Sequence, residues 1–160
     1  LNQAFSESQL GVETYDDTPV ANDLNFTLNE DSSYSGNFSF INKVGPSTIE
    51  ITSLPSEGTL TLLPNNSFSY TPNAHYFGAD SFSYRVFDGT TYSEVAQASV
   101  TITPINDAPE ASEQVLNLSE DTDLNILLGG SDKENSSLEY EVTNPPLSGS
   151  LSGSNSVKIY

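Results

Sequence analysis

Apolar and polar residues alternate with a period of two along most of this chain, which is the period of a strand. In Ser81-Phe82-Ser83-Tyr84-Arg85-Val86 the residues Phe82, Tyr84 and Val86 share one face, and Ala96, Ala98, Val100 and Ile102 do so in the next run. Asn25 to Asn29 and Ser67 to Thr71 alternate more weakly, with Phe26/Leu28 and Phe68/Tyr70 inward. Turn chemistry separates the runs at Pro64-Asn65-Asn66, Pro72-Asn73, Phe77-Gly78 and Asp88-Gly89. Helical periodicity is nowhere sustained. The pattern predicts strands at 24–29, 36–41, 47–53, 58–63, 67–71, 80–87 and 94–103, and about seven short strands in about ninety residues predict a Greek-key β-sandwich.

The pattern also repeats. Asp17, Pro19, Ala21, Leu28, Glu30 and Asp31 recur as Asp107, Pro109, Ala111, Leu118, Glu120 and Asp121, at an offset of 90. Glu50, Thr52, Pro55, Gly58 and Leu60 recur as Glu141, Thr143, Pro146, Gly149 and Leu151, at an offset of 91. Fixed-period self-similarity marks a repeat architecture. Residues 1–16 then read as the tail of a preceding copy, 17–106 as repeat 1, and 107–160 as a partial repeat 2. The second copy predicts strands at 114–119, 124–129, 137–143, 148–152 and 155–160. The fold class is all-β: tandem sandwiches, the second incomplete.

Composition narrows the partners. The 160 residues hold 22 acidic side chains against four basic ones (Lys43, Arg85, Lys133 and Lys158), a formal charge of −18. Nucleic acid and anionic membrane surfaces need Lys and Arg, so neither is an expected partner. No cysteine is present, and no apolar run approaches membrane-spanning length, so direct insertion is not expected. With His75 as the lone histidine, there is material neither for a histidine-based zinc site nor for a Ser-His-Asp triad. His75 is expected in a loop or packed between strands. At the repeat boundary, Pro104-Ile105-Asn106-Asp107-Ala108-Pro109 sets two oxygen-bearing side chains between prolines that stiffen the backbone. Such a connector suggests a bound ion.

The run Ser69-Tyr70-Thr71-Pro72-Asn73, the run Tyr76-Phe77-Gly78-Ala79-Asp80 leading into Phe82–Val86, then Asp88-Gly89, Val100-Thr101-Ile102 and Asn106-Asp107-Ala108-Pro109 together resemble the bacterial cadherin-like, Ig-like tandem repeat of large extracellular proteins, commonly adhesins. The resemblance implies calcium at the junction between repeats, held by Glu30, Asp80, Asn106 and Asp107 with Asp132 and Glu134 from the next repeat. It implies a weaker upstream site at Asp16 and Asp17, served by Asp88, because Asn42-Lys43-Val44 stands where repeat 2 has Asp132-Lys133-Glu134. Calcium takes six to eight oxygens and tolerates irregular geometry. No EF-hand loop is present, since the stretch from Asp132 lacks the required glycine and distal glutamate.

The expected function is therefore non-enzymatic: a calcium-rigidified structural or adhesive segment of a secreted or cell-surface bacterial protein. Its partners would be neighbouring repeats and a cell-surface or glycan ligand. Two alternatives stand beside it. One is a carbohydrate-binding module of a secreted enzyme, with Tyr34, Tyr76 and Tyr92 as its aromatic candidates. The other is a fibre subunit completed by a strand from a neighbouring subunit.

Overall fold

The computed structural model describes residues 16–42 and 45–153 and the backbone of 157–159. Expectations for residues 1–15, Lys43 and Val44 lie outside the described residues. One compact unit ends at Thr103 and a second starts at Pro104.

Unit 1 is a sandwich of two sheets. Its strands in chain order are β1 (Val20–Ala21), β2 (Leu24–Asn29), β3 (Tyr34–Asn37), β4 (Phe40–Ile41), β5 (Thr48–Ser53), β6 (Gly58–Leu63), β7 (Ser67–Pro72), β8 (Gly78–Phe87) and β9 (Ala96–Thr103). The larger sheet runs β2-β9-β8-β5 and the smaller β3-β7-β6, with β1 paired to β4 beside them. β2 lies parallel to β9, whereas β8 is antiparallel to both β9 and β5. The alternation reaches the core as expected: Phe82, Tyr84 and Val86 on β8 and Ala98, Val100 and Ile102 on β9 are buried against Phe68 and Tyr70 of β7. Full burial of a side chain such as Phe68 or Phe82 contributes about 1.5–3 kcal/mol. Phe68 and Phe82 meet edge to face at 5.5 Å, a geometry that suits the ring quadrupoles.

The strand expected at 36–41 is two strands, β3 and β4. The chain changes sheet between them, and the break is held by Phe38 N donating to Asn66 O at 2.9 Å. β1 and β4 are two residues each, too short for a period to register.

Unit 2 contains β10 (Glu110–Ala111), β11 (Asn125–Leu127), β12 (Gly130–Ser131) and β13 (Val157–Ile159). Its pairings copy those of unit 1 at the 90-residue offset. Val20↔Ile41 and Ala21↔Phe40 recur as Glu110↔Ser131 and Ala111↔Gly130. Ser35↔Ser69, Gly36↔Phe68 and Asn37↔Ser67 recur as Asn125↔Ile159, Ile126↔Lys158 and Leu127↔Val157. Even the turns agree. Asp31 and Asp121 have φ of 54° and 59°, and the Ser32 Oγ to Asn29 O bond recurs as Thr122 Oγ1 to Ser119 O.

The strands expected at 114–119 and 137–143 do not form, and 148–152 contributes only an isolated bridge residue, Ser152. The first two have a common cause. Their counterparts in unit 1, β2 and β5, pair solely with β9 and β8, and the counterparts of those strands are not among the 160 residues. A strand without a neighbour has no ladder to join.

Candidate functional site

In unit 1 the end of β2 delivers Glu30, which is buried, and whose backbone N–H donates to Thr103 O at 2.9 Å. The chain then turns at Asp31. Its Oδ1 accepts from the backbone N–H of His75 at 3.0 Å, and His75 Nδ1 lies 3.4 Å from Oδ2. Glu30, Asp31 and His75 thus offer ligand atoms within 4.8 Å of one another. Sequence reasoning did not join His75 to Asp31 beside Glu30. They are 44 residues apart, and no local pattern joins them.

Asp80 is accounted for as a loop anchor. Its Oδ1 accepts from Ser56 N, Ser56 Oγ and Ser81 N, and its Oδ2 from Glu57 N and the Tyr70 hydroxyl at 2.8 Å. Burial pushes the carboxyl pKa up, but the bonds from Tyr70, Ser81, Ser56 and Glu57 outweigh it and hold the group below its ordinary value. Burial and the Asp80 bond together raise the Tyr70 phenol. The expected role as a calcium ligand therefore meets a carboxylate whose two oxygens already serve five donors.

Asp88 is engaged in the same way. Its Oδ1 accepts from Thr90 N, Thr90 Oγ1 and Thr91 N, each at 2.8 Å, and its Oδ2 from Thr91 Oγ1. The backbone bonds from Thr91 and Thr90 lower its pKa to about 2. Here the turn role accounts for the residue. Asp16 makes a local turn, its Oδ1 accepting from Thr18 N at 3.0 Å, and Asp17 is exposed. At the position equivalent to Asp132, Asn42 presents an amide instead of a carboxylate, with Nδ2 donating to Gly45 O and to Ser47 Oγ.

Unit 2 brings together three of the residues named from the sequence. Pairing of β10 with β12 brings the turn after Ser131 alongside the stretch before Glu110. Asp107 N donates to Glu134 Oε2 at 2.9 Å, and Asp132 Oδ1 accepts from Glu134 N at 3.1 Å and from Ser136 N at 2.9 Å. Glu134 Oε1 is buried without a hydrogen-bond partner among the described residues. Asn106 turns its Nδ2 to Asp107 O at 2.9 Å. The contacts of Asp107 and Asp132 with Glu134 run from backbone N–H groups to the carboxylates of Glu134 and Asp132. Among the described residues, the acidic and histidine set whose ligand atoms lie within 4.8 Å of one another is Glu30, Asp31 and His75. Hard carboxylate oxygens suit calcium or magnesium rather than a softer metal.

The aromatic candidates are differently placed. Tyr34 stacks on Phe26 at 4.2 Å against the core, and the Tyr76 hydroxyl donates to Ala79 O. Tyr92 is exposed, yet Arg85 lies over its ring at 3.8 Å while donating to Glu50.

Two packed antiparallel-rich sheets closed by a parallel terminal pair define an Ig-like β-sandwich. The sequence profile of the bacterial Ig domain matches residues 16–103, and the chain belongs to that family. Such domains are typical of extracellular proteins. Among solved structures, an endo-fucoidan hydrolase of glycoside hydrolase family 107, MfFcnA4, aligns over 91% of this chain at 23% identity with a TM-score of 0.50, which shows the fold. The chain spans about a quarter of that enzyme, 24% of its length. A second member, MfFcnA9, aligns over 55% of this chain and 16% of its own at 24% identity, with a TM-score of 0.41. No curated protein matches the chain. Among the described residues, no helix is long and apolar enough to cross a membrane.

Proposed function

We propose that the chain is a non-enzymatic structural segment of an extracellular bacterial protein, stiffened by calcium bound at the connector of unit 2. The contact of Asp107 with Glu134, next to Asp132, carries this reading. The Glu134 Oε1 oxygen is buried there without a donor, and a buried carboxylate oxygen left so calls for a proton or a cation. A Ca2+ ion held by Asp107, Asp132 and Glu134, with Asn106 adjoining, would bridge the connector to the 132–136 turn and remove the connector's freedom to swing. The charge of −18 favours cation uptake and keeps the surface from self-association. Neighbouring repeats of the same protein and a cell-surface ligand are the partners this role implies.

The test is a pair of thermal melts, in calcium and in chelator at matched ionic strength. Extracellular modules bind calcium with dissociation constants of roughly 10⁻⁴–10⁻³ M, so 10 mM calcium stabilises the binding unit by about 1.4–2.7 kcal/mol. Glu134→Gln combined with Asp107→Asn is expected to lose most of that gain. Superimposable melts of the unsubstituted chain would sink the reading.

A second reading is a spacer carried by a secreted polysaccharide hydrolase, supported by the share of MfFcnA4 that this fold occupies. The spacer role suits the chain better than glycan binding, since the exposed ring of Tyr92 is covered by Arg85.

A further inference from the structure

Charge is spread unevenly along this chain. From Gly58 to Ala79 there is no Asp, Glu, Lys or Arg, although the net charge is −18. That run supplies β6, β7 and the turn between them, and β3 adds no charged residue, so the smaller sheet of unit 1 is neutral throughout. Among the described residues β6 pairs with β7 alone, and its far side is an open edge. Backbone groups on such an edge are ready to pair with another strand.

The other edges of the sandwich discourage such pairing. β5 bears Glu50 and has a register shift between Ile51 and Ser53. β2 lies between Asp23 and Glu30, and β3 is four residues long. In contrast β6 runs through six pairs without a shift, and holds no proline and no charge. Its Leu62 and Leu63 are 48% and 40% exposed. With Phe38 and Ile49 they line a cavity of about 260 Å³ beside the edge.

We propose that β6 is a self-pairing edge, occupied by β6 of a second copy of this chain, antiparallel about a twofold axis. Residues directly opposite each other in an antiparallel pair lie on one face, so the axis passes through a residue rather than between two. Placed at Thr61, it sets Leu62 against Leu60 of the second copy, and Leu63 against Thr59. Both exposed leucines are then covered, and the smaller sheet continues as β3-β7-β6 into its own copy. Charge selects this occupant. A strand drawn to the acidic surface would carry Lys or Arg, for which β6 has no carboxylate, whereas a second β6 is as neutral as the first. The charge that keeps the rest of the surface apart opposes the approach of two chains, and salt screens that repulsion.

The test is sedimentation of the 160-residue chain in chelator, which keeps it separate from the calcium reading. The average mass is expected to rise from monomer toward dimer with protein concentration, and further on raising salt from about 0.05 to about 0.5 M. Thr61→Glu sets two like charges opposite each other and should leave the chain monomeric with its melting temperature unchanged. Mixing it with Thr61→Lys should restore the dimer. Since the chain has no cysteine, Thr61→Cys should give a disulfide-linked dimer on oxidation, and Thr59→Cys far less. A chain that stays monomeric at high salt overturns the proposal. So does a dimer that persists in Thr61→Glu, or equal cross-linking at positions 59 and 61.

Discussion

Asp80 shows how far a single carboxylate reaches. Its five hydrogen bonds join β7, β8 and the turn before β6, so its loss leaves several donors without an acceptor. Asp80→Ala is expected to destabilise unit 1 by roughly 2–3 kcal/mol, the cost of buried groups left unsatisfied, measurable by urea unfolding. Asp88 gives a pH signature. Its folded pKa, about 2 against an ordinary 3.8, is depressed, so its contribution is complete above about pH 4 and is lost as pH falls toward 2. Replacing Asp88 by Asn should remove that part of the acid limb, read by melts at successive pH values. An aspartate next to a glycine, or just before a strand, was visible in the sequence as a turn residue or ligand. The sequence did not show which donors would surround it. Four of the five for Asp80 come from residues 10 to 24 positions away and the fifth from neighbouring Ser81, whereas those of Asp88 are two and three positions away and belong to a local turn.

At the scale of elements, the strong strands were legible because their faces are separately buried. β8 and β9 alternate without a break through the core, and β2, β5, β6 and β7 fall within a residue or two of expectation. The two-residue strands were illegible because no period fits in them. The strands expected at 114–119 and 137–143 mark a different boundary of sequence reading: alternation states which face would be buried, whereas a ladder also requires a partner. The β6–β7 hairpin supplies a sharp test of packing. A Cβ on Gly58 would lie 2.6 Å from the Tyr70 hydroxyl and 2.7 Å from Thr71 O, and the tyrosine cannot give way without leaving Asp80. Gly58→Ala is expected to cost about 1–3 kcal/mol as overpacking, with a drop in melting temperature as its measure. The acidic residues proposed above to hold calcium were named in part from the sequence. Asp107, Asp132 and Glu134 were named from the sequence and meet through the β10–β12 pair, whereas the Glu30, Asp31 and His75 group was not seen.

At the scale of the whole molecule, the two units differ in what they contain rather than in plan, since unit 2 repeats the registers of unit 1 where it has the strands to do so. The parallel pairing of β2 with β9 has a consequence for load. After the two-pair β1–β4 contact the chain enters the main sheet at the start of β2 and leaves it at the end of β9, and six residue pairs from Leu24↔Ala98 to Asn29↔Thr103 lie between those points. Tension along the polypeptide therefore slides one strand past the other, and the six pairs resist together. An antiparallel hairpin pulled from its open end would instead peel one pair at a time. Stretched singly between its termini, unit 1 should rupture at a distinctly higher force than when held at Gly58 and Pro72, the open end of β6–β7. Rupture forces equal in the two geometries would contradict this. A domain built this way is strongest against tension applied along its own chain.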